Sequence, residues 1–201
     1  MTTVATDGVS IYADKRISGH VGDNTTIRDS GCEILNVHGK LSIGKHKLTF
    51  LGFAGAMSNR VKITAAVNRF KGGITDFITM VDTLSAGGCF SRPSRVLCVT
   101  ATPGVVFIVV IDHLSITTEE HKLGKDEVLA IGSGASYTTL TNRLLGYKLP
   151  TAFNFGVYLD KSSSLDYDVG TIVDGQAKIT TASFKLVASV KLVKNTFHQL
   201  G

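Results

Sequence analysis

Proline is scarce, with three residues in 201, and apolar content is ordinary at 43%, so the composition argues against a disordered chain. Cysteine is equally scarce. Cys32, Cys89 and Cys98 are odd in number and lack metal-ligand spacing, which speaks against a disulfide framework and for a reducing interior. The histidines (His20, His38, His46, His113, His121 and His198) show no His-x-x-x-His pairing, so neither metal nor cofactor is expected. No apolar run is long enough to span a bilayer, and no signal-peptide pattern opens the sequence. A cytoplasmic protein without membrane contact is the expectation. The formal charge of +5 is scattered over single lysines and arginines, without a basic run interleaved with aromatics, so nucleic acid is not the expected partner. Linkers, repeats and low-complexity segments are also missing, and residues 1–201 read as one domain with a substantial core.

What is present is an ordered series of strand and helix signals. Cys32–Val37 reads as a short strand, and Leu41–Ala54 as a hairpin turning at Gly44-Lys45-His46-Lys47. Ile63, Ala66, Val67 and Phe70 then recur at helical spacing, as do Ile74, Phe77, Ile78, Val81 and Leu84, with Gly72-Gly73 between the two stripes. Strand patterns return at Arg95–Thr100, Val105–Ile111 and Leu114–Thr118, and again at Val128–Ile131 before Gly132-Ser133-Gly134. Two further helices are expected over 135–146 and 151–162, then strands at Val169–Val173 and from Ala177 to about Val193. The polar stretch from Lys15 to Gly31 reads as a surface loop or a lid. Strands, two helices, strands, two helices, strands is an order most economically packed as two mainly antiparallel sheets face to face, with a helix pair outside each. That is a four-layer αββα sandwich in the α/β (α+β) class.

The chain opens Met1-Thr2-Thr3-Val4-Ala5-Thr6-Asp7-Gly8-Val9-Ser10-Ile11-Tyr12-Ala13-Asp14. Asp7-Gly8 reads as a two-residue hairpin turn, which pairs Thr6 with Val9 and runs the ladder back until Thr2 faces Ala13. The Asp14 carboxylate then lies roughly 5 Å from Thr2, one strand spacing away. Thr2 is small enough for removal of Met1, which would put a free amine and a hydroxyl on one residue. A terminal amine titrates near neutrality and can serve as the base for its own hydroxyl.

These residues, with Gly52-Phe53-Ala54-Gly55, Ala130-Ile131-Gly132-Ser133-Gly134 and the segment Asp160-x-x-Ser163, resemble the N-terminal-nucleophile hydrolases, specifically the proteasome β-subunit and HslV-type threonine peptidases. The resemblance implies Thr2 as nucleophile, Asp14 as its supporting carboxylate, and the Gly52 N–H as oxyanion donor. Ser133, Asp160 and Ser163 would orient the amine. It also implies polypeptide substrates, a homo-oligomeric ring enclosing the sites, and an ATP-dependent unfoldase as partner. The family's activating lysine has two candidate positions. Counted back from Gly52 it falls on Lys40; aligned on the strand Cys32-Glu33-Ile34 it falls on Glu33, whose carboxylate opposes ionisation of the nucleophile. The first alignment implies an active threonine peptidase, the second a catalytically inactive structural or binding member of the fold.

Overall fold

The computed structural model describes residues 2–21, 24–28, 33–90, 92–160 and 166–183. The strands are β1 (Thr3–Thr6), β2 (Ile11–Asp14), β3 (Ile17–Val21), β4 (Asn24–Arg28), β5 (Ile34–Asn36), β6 (Leu41–Ile43) and β7 (His46–Gly55). Helix α1 (Met57–Arg69), the two-residue β8 (Thr75–Asp76) and α2 (Phe77–Ala86) follow. Then come β9 (Ser94–Thr100), β10 (Val105–Ile111), β11 (Ile116–Lys122), β12 (Leu129–Gly132), α3 (Ala135–Leu145), α4 (Leu149–Leu159), β13 (Asp166–Val173) and β14 (Gln176–Ser183). The fold is mixed α/β, with four helices among the described residues. Its two large sheets run in the orders β12-β1-β2-β13-β14 and β11-β10-β9-β7-β6-β8, and β5 pairs with β7 beside β6.

Strand periodicity explains the packing. On β7, Leu51 and Phe53 belong to a cluster with Ile63 and Val67 of α1 and Phe77 and Val81 of α2. Their neighbours Phe50 and Ala54 point the other way, into a cluster with Val4, Ile11 and Ala13 of the other large sheet. Ala5, Tyr167 and Val169 on the opposite side of that sheet pack with Leu149, Phe153 and Val157 of α4. A strand apolar on both faces, such as β10, follows from this double covering. Gly52 and Gly170 set the distance between sheets. A Cβ on Gly52 would stand 2.5 Å from Val4 Cγ1, and one on Gly170 would stand 3.0 Å from Phe50 Cε1, each contact reaching the other sheet.

Several local expectations are corrected. The first hairpin does not turn on two residues: Thr6 pairs with Ile11, and Val4 with Ala13. Asp7 Oδ1 accepts from the N–H groups of Val9 (3.0 Å) and Ser10 (2.8 Å), and Thr6 Oγ1 donates to the Ser10 carbonyl at 2.5 Å, which makes a wider four-residue loop. Thr3, rather than Thr2, therefore comes opposite Asp14. The polar stretch after Lys15 contains the β3–β4 ribbon, so it is not wholly loop. Phe70 and Ile74 end up exposed beyond α1 because that helix stops at Arg69. Leu114 is 83% exposed and precedes β11. The expected strand from Ala177 is present to Ser183, and its remainder lies outside the described residues.

Candidate functional site

Four sequence-distant elements meet at one end of the five-stranded sheet. β1 lies between β2 and β12, so Thr2, Asp14 and the Gly132-Ser133-Gly134 turn become neighbours through pairing alone. Thr2 is buried, and its Oγ1 donates to the Arg16 carbonyl at 3.2 Å. Asp14 is fully buried and fixes the chain start. Its Oδ2 accepts the Thr3 N–H at 2.6 Å, and its Oδ1 accepts the Arg16 N–H at 2.9 Å. Thr3 Oγ1 accepts the Gly134 N–H at 2.8 Å, which ties the first strand to the start of α3. Gly132 has φ +95°, and a Cβ there would run into the Thr2 carbonyl oxygen. Ser133 Oγ donates to Asp160 Oδ2 in a short hydrogen bond, joining this turn to the C-cap of α4. Thr2, Asp14, Ser133 and Asp160 are thus brought to one place. Ser163 lies outside the described residues.

Strand register separates Glu33 from Lys40. Ile34 pairs with Gly52, and the Phe53 N–H donates to the Glu33 carbonyl at 2.9 Å, so the strand beside Gly52 starts at Glu33. Lys40 sits on an exposed turn at the other end of β7, where Ser42 pairs with Lys47. Five residues of extended strand, about 17 Å, separate Lys47 from Gly52. Lys40 therefore lies at the end of β7 away from Gly52, while Glu33 lies beside Gly52. Gly52 also departs from its expected place. It lies inside β7, three residues before the strand ends, and alternation turns its N–H toward Leu97 of β9. The glycine at the strand-to-helix corner is Gly55, with φ +120°.

Glu33 is held by Arg60 of α1, Nη1 to Oε1 at 2.5 Å, with both side chains largely buried. Asp168 of β13 pairs with Ala13 and so points toward the other large sheet. Its Oδ1 accepts from Thr181 Oγ1 at 2.7 Å and lies 3.6 Å from Lys15 Nζ, whereas its buried Oδ2 has no hydrogen-bond partner among the described residues. Sequence reasoning missed Arg60, Asp168 and Lys15. Arg60 reads as a solvated helix charge. Asp168 left one signal, a charge at an inward position of the alternating Asp166–Gly170 run.

Burial pushes the Glu33 carboxyl from its ordinary 4.5 up to about 7; Arg60 pulls it down, and Asp14 and Asp168 push it up further. Burial also raises Asp14 to about 6, opposed by the hydrogen bonds from the Thr3 and Arg16 backbone and reinforced by the charge of Asp160. Both folded-state pKa values exceed the unfolded ones. The native protein therefore holds protons that the unfolded chain has released, and its stability falls as pH rises through about 4 to 7. Thermal melts are expected to show a higher Tm at pH 5 than at pH 8, with Glu33→Gln removing part of the slope.

Among the described residues no group of three or more His, Cys, Asp or Glu side chains is placed to hold a metal ion, and no helix is long and apolar enough to cross a membrane. Cys89 and Cys98 are free thiols; burial raises the Cys98 pKa, so it is unreactive. No known protein-family profile and no curated protein sequence matches the chain.

Proposed function

We propose that the chain is an N-terminal threonine hydrolase acting on peptide bonds, with Thr2 as nucleophile once Met1 is removed. What supports this is the convergence of Thr2, Asp14, Ser133 and Asp160, four positions named by sequence resemblance, at one end of one sheet. The three apolar clusters fit the four-layer αββα sandwich of that family. In the proposed reaction the Thr2 amine takes the hydroxyl proton and Oγ1 bonds to the substrate carbonyl carbon. The C–N bond then breaks, the leaving nitrogen receives the proton, and water hydrolyses the resulting ester. Asp14 holds the backbone at Thr3, and the Ser133–Asp160 pair has, by the resemblance, the role of orienting the amine. Ser163 would join them there. By the same resemblance the chain works in the cytoplasm within a homo-oligomeric ring fed by an ATP-dependent unfoldase. Enclosure supplies the selectivity that the chemistry lacks.

The observation that favours a second reading is the Glu33–Arg60 pair. Glu33 stands where a lysine would depress the hydroxyl pKa, Lys15 is paired with Asp168, and the Glu33 carboxylate opposes ionisation of the hydroxyl. In this reading the chain is a non-catalytic structural or binding member of the fold. Intact mass before and after incubation with a peptide epoxyketone separates the two, because that reagent needs a free amine and a hydroxyl on one residue. The hydrolase reading expects loss of Met1 and a single adduct that is absent in Thr2→Ala. Retained Met1 with no adduct would leave only the non-catalytic reading.

A further inference from the structure

Ser133 and Asp160 stand on different helices, and how those helices touch is set by one buried threonine. Thr138 of α3 is fully buried. Its Oγ1 donates to the Gly134 carbonyl at 3.1 Å, the same carbonyl that accepts the Thr138 N–H at 3.0 Å, so the hydroxyl has a fixed direction. A Cβ on Gly156 of α4 would run into that Oγ1. α3 and α4 therefore meet at a distance that only glycine allows. Both sides of this contact lead to the site. On one side, the Gly134 N–H donates to Thr3 Oγ1 at 2.8 Å. On the other, the Gly156 carbonyl accepts the Asp160 N–H at 3.0 Å and closes the last turn of α4. Asp160 in turn accepts the hydrogen bond of Ser133, the residue before Gly134. Thr3, Gly134, Thr138, Gly156, Asp160 and Ser133 thus form a closed circuit. The Asp160 charge also acts on Asp14, whose Oδ2 holds the Thr3 N–H, so both carboxylates serve the same strand start.

We propose that Thr138 and Gly156 are positioning residues, whose contact fixes α4 against α3 so that Asp160 stays in reach of Ser133 and the pair can orient the Thr2 amine. The proposal rests on the reading of Thr2 as nucleophile and adds to it two residues that no motif names. Moving α4 away by the size of a methyl group would part Asp160 from Ser133 while leaving Thr2 on its strand. A misplacement of about 1 Å in groups that orient a reactant costs up to about a hundredfold in rate.

Carbon-13 NMR of the Asp160 carboxyl tests the contact without any need for turnover. Ser133→Ala sets the reference: with the hydroxyl donor gone, Asp160 titrates higher. Gly156→Ala is expected to move Asp160 the same way. Adding Thr138→Ala should bring it most of the way back, because that change removes the atom the new methyl meets. Thr138→Ala alone is the milder variant and should give a smaller shift in the same direction as Ser133→Ala. An unchanged Asp160 titration in the folded single variants overturns the proposal. Turnover is the second readout. Gly156→Ala should lower kcat about tenfold at unchanged KM and move the acidic limb of the kcat/KM profile, and the double variant should recover both. Lost stability with the titration and the pH profile unmoved would make the contact one of packing alone, which also overturns the proposal. Asp160 shifts as expected, with neither hydrolysis nor a Thr2 adduct in the wild-type protein, would remove the hydrolase and leave the contact that holds Asp160 to Ser133.

Discussion

Arg60→Ala is expected to cost the protein about 1–1.5 kcal/mol more at pH 8 than at pH 5, because at pH 8 it removes the cation that stabilises the ionised form of Glu33, whose carboxyl titrates at about 7. The loss should shrink as pH falls. With Arg60 in place the Glu33 carboxyl titrates at about 7, and without that guanidinium it titrates higher still, so near pH 5 it is neutral and needs no counter-ion. Denaturant unfolding of wild type and variant at the two pH values measures the difference. Glu33→Gln should rescue much of the loss at pH 8 when combined with Arg60→Ala, since the charge that needed Arg60 is gone. A deficit of equal size at both pH values would mean that Arg60 contributes through packing of its alkyl stem against α1 and β5.

Gly132→Ala should be more damaging, at about 3–5 kcal/mol, and should also displace Thr2. The position has φ +95°, and the added methyl meets the Thr2 carbonyl oxygen, which belongs to rigid backbone at the strand start. β1 can relieve that contact only by moving away from β12, and this breaks the hydrogen bond from Gly134 N–H to Thr3 Oγ1. Gly175→Ala is the control. It shares a positive φ of +75° but has nothing within 4 Å of the added atom, so it should cost only about 1–2 kcal/mol of backbone strain. Unfolding curves of the two variants distinguish collision at the site from loss of glycine's conformational freedom. Similar losses would assign the Gly132 effect to backbone conformation alone.

The positions of the elements were legible in the sequence because each rests on local signals. The α2 stripe through Phe77, Ile78 and Val81 is helical periodicity, and the Gly44-Lys45 turn joins Ile43 to His46 with Gly44 at a positive φ. Thr2, Asp14, Ser133 and Asp160 were legible as a set because short motifs around them keep a recognisable order. Two matters were not legible. The first hairpin's register depended on Asp7 and Thr6 accepting and donating hydrogen bonds across a four-residue loop, a competition between side chain and backbone that a dipeptide signal does not resolve. The choice between Lys40 and Glu33 depended on which of two short strands pairs with β7 beside Gly52, and both suit that partner locally.

The sequence by itself determined the order of strands and helices, the apolar faces that bury against one another, and the presence of a threonine one residue from the chain start near an aspartate. Period-2 and period-3.6 patterns are written residue by residue, so no distant contact is needed to read them. Only the tertiary structure decided the charge of the site. Glu33 meets Arg60 of α1 and comes under the influence of the Asp168 charge, 135 positions further along the chain, only after β5 settles on β7 and the two large sheets close on each other. Charge, unlike periodicity, acts through space and through burial. A carboxylate that is an ordinary surface group in the sequence therefore becomes, once buried beside Arg60, a group whose protonation changes near neutral pH.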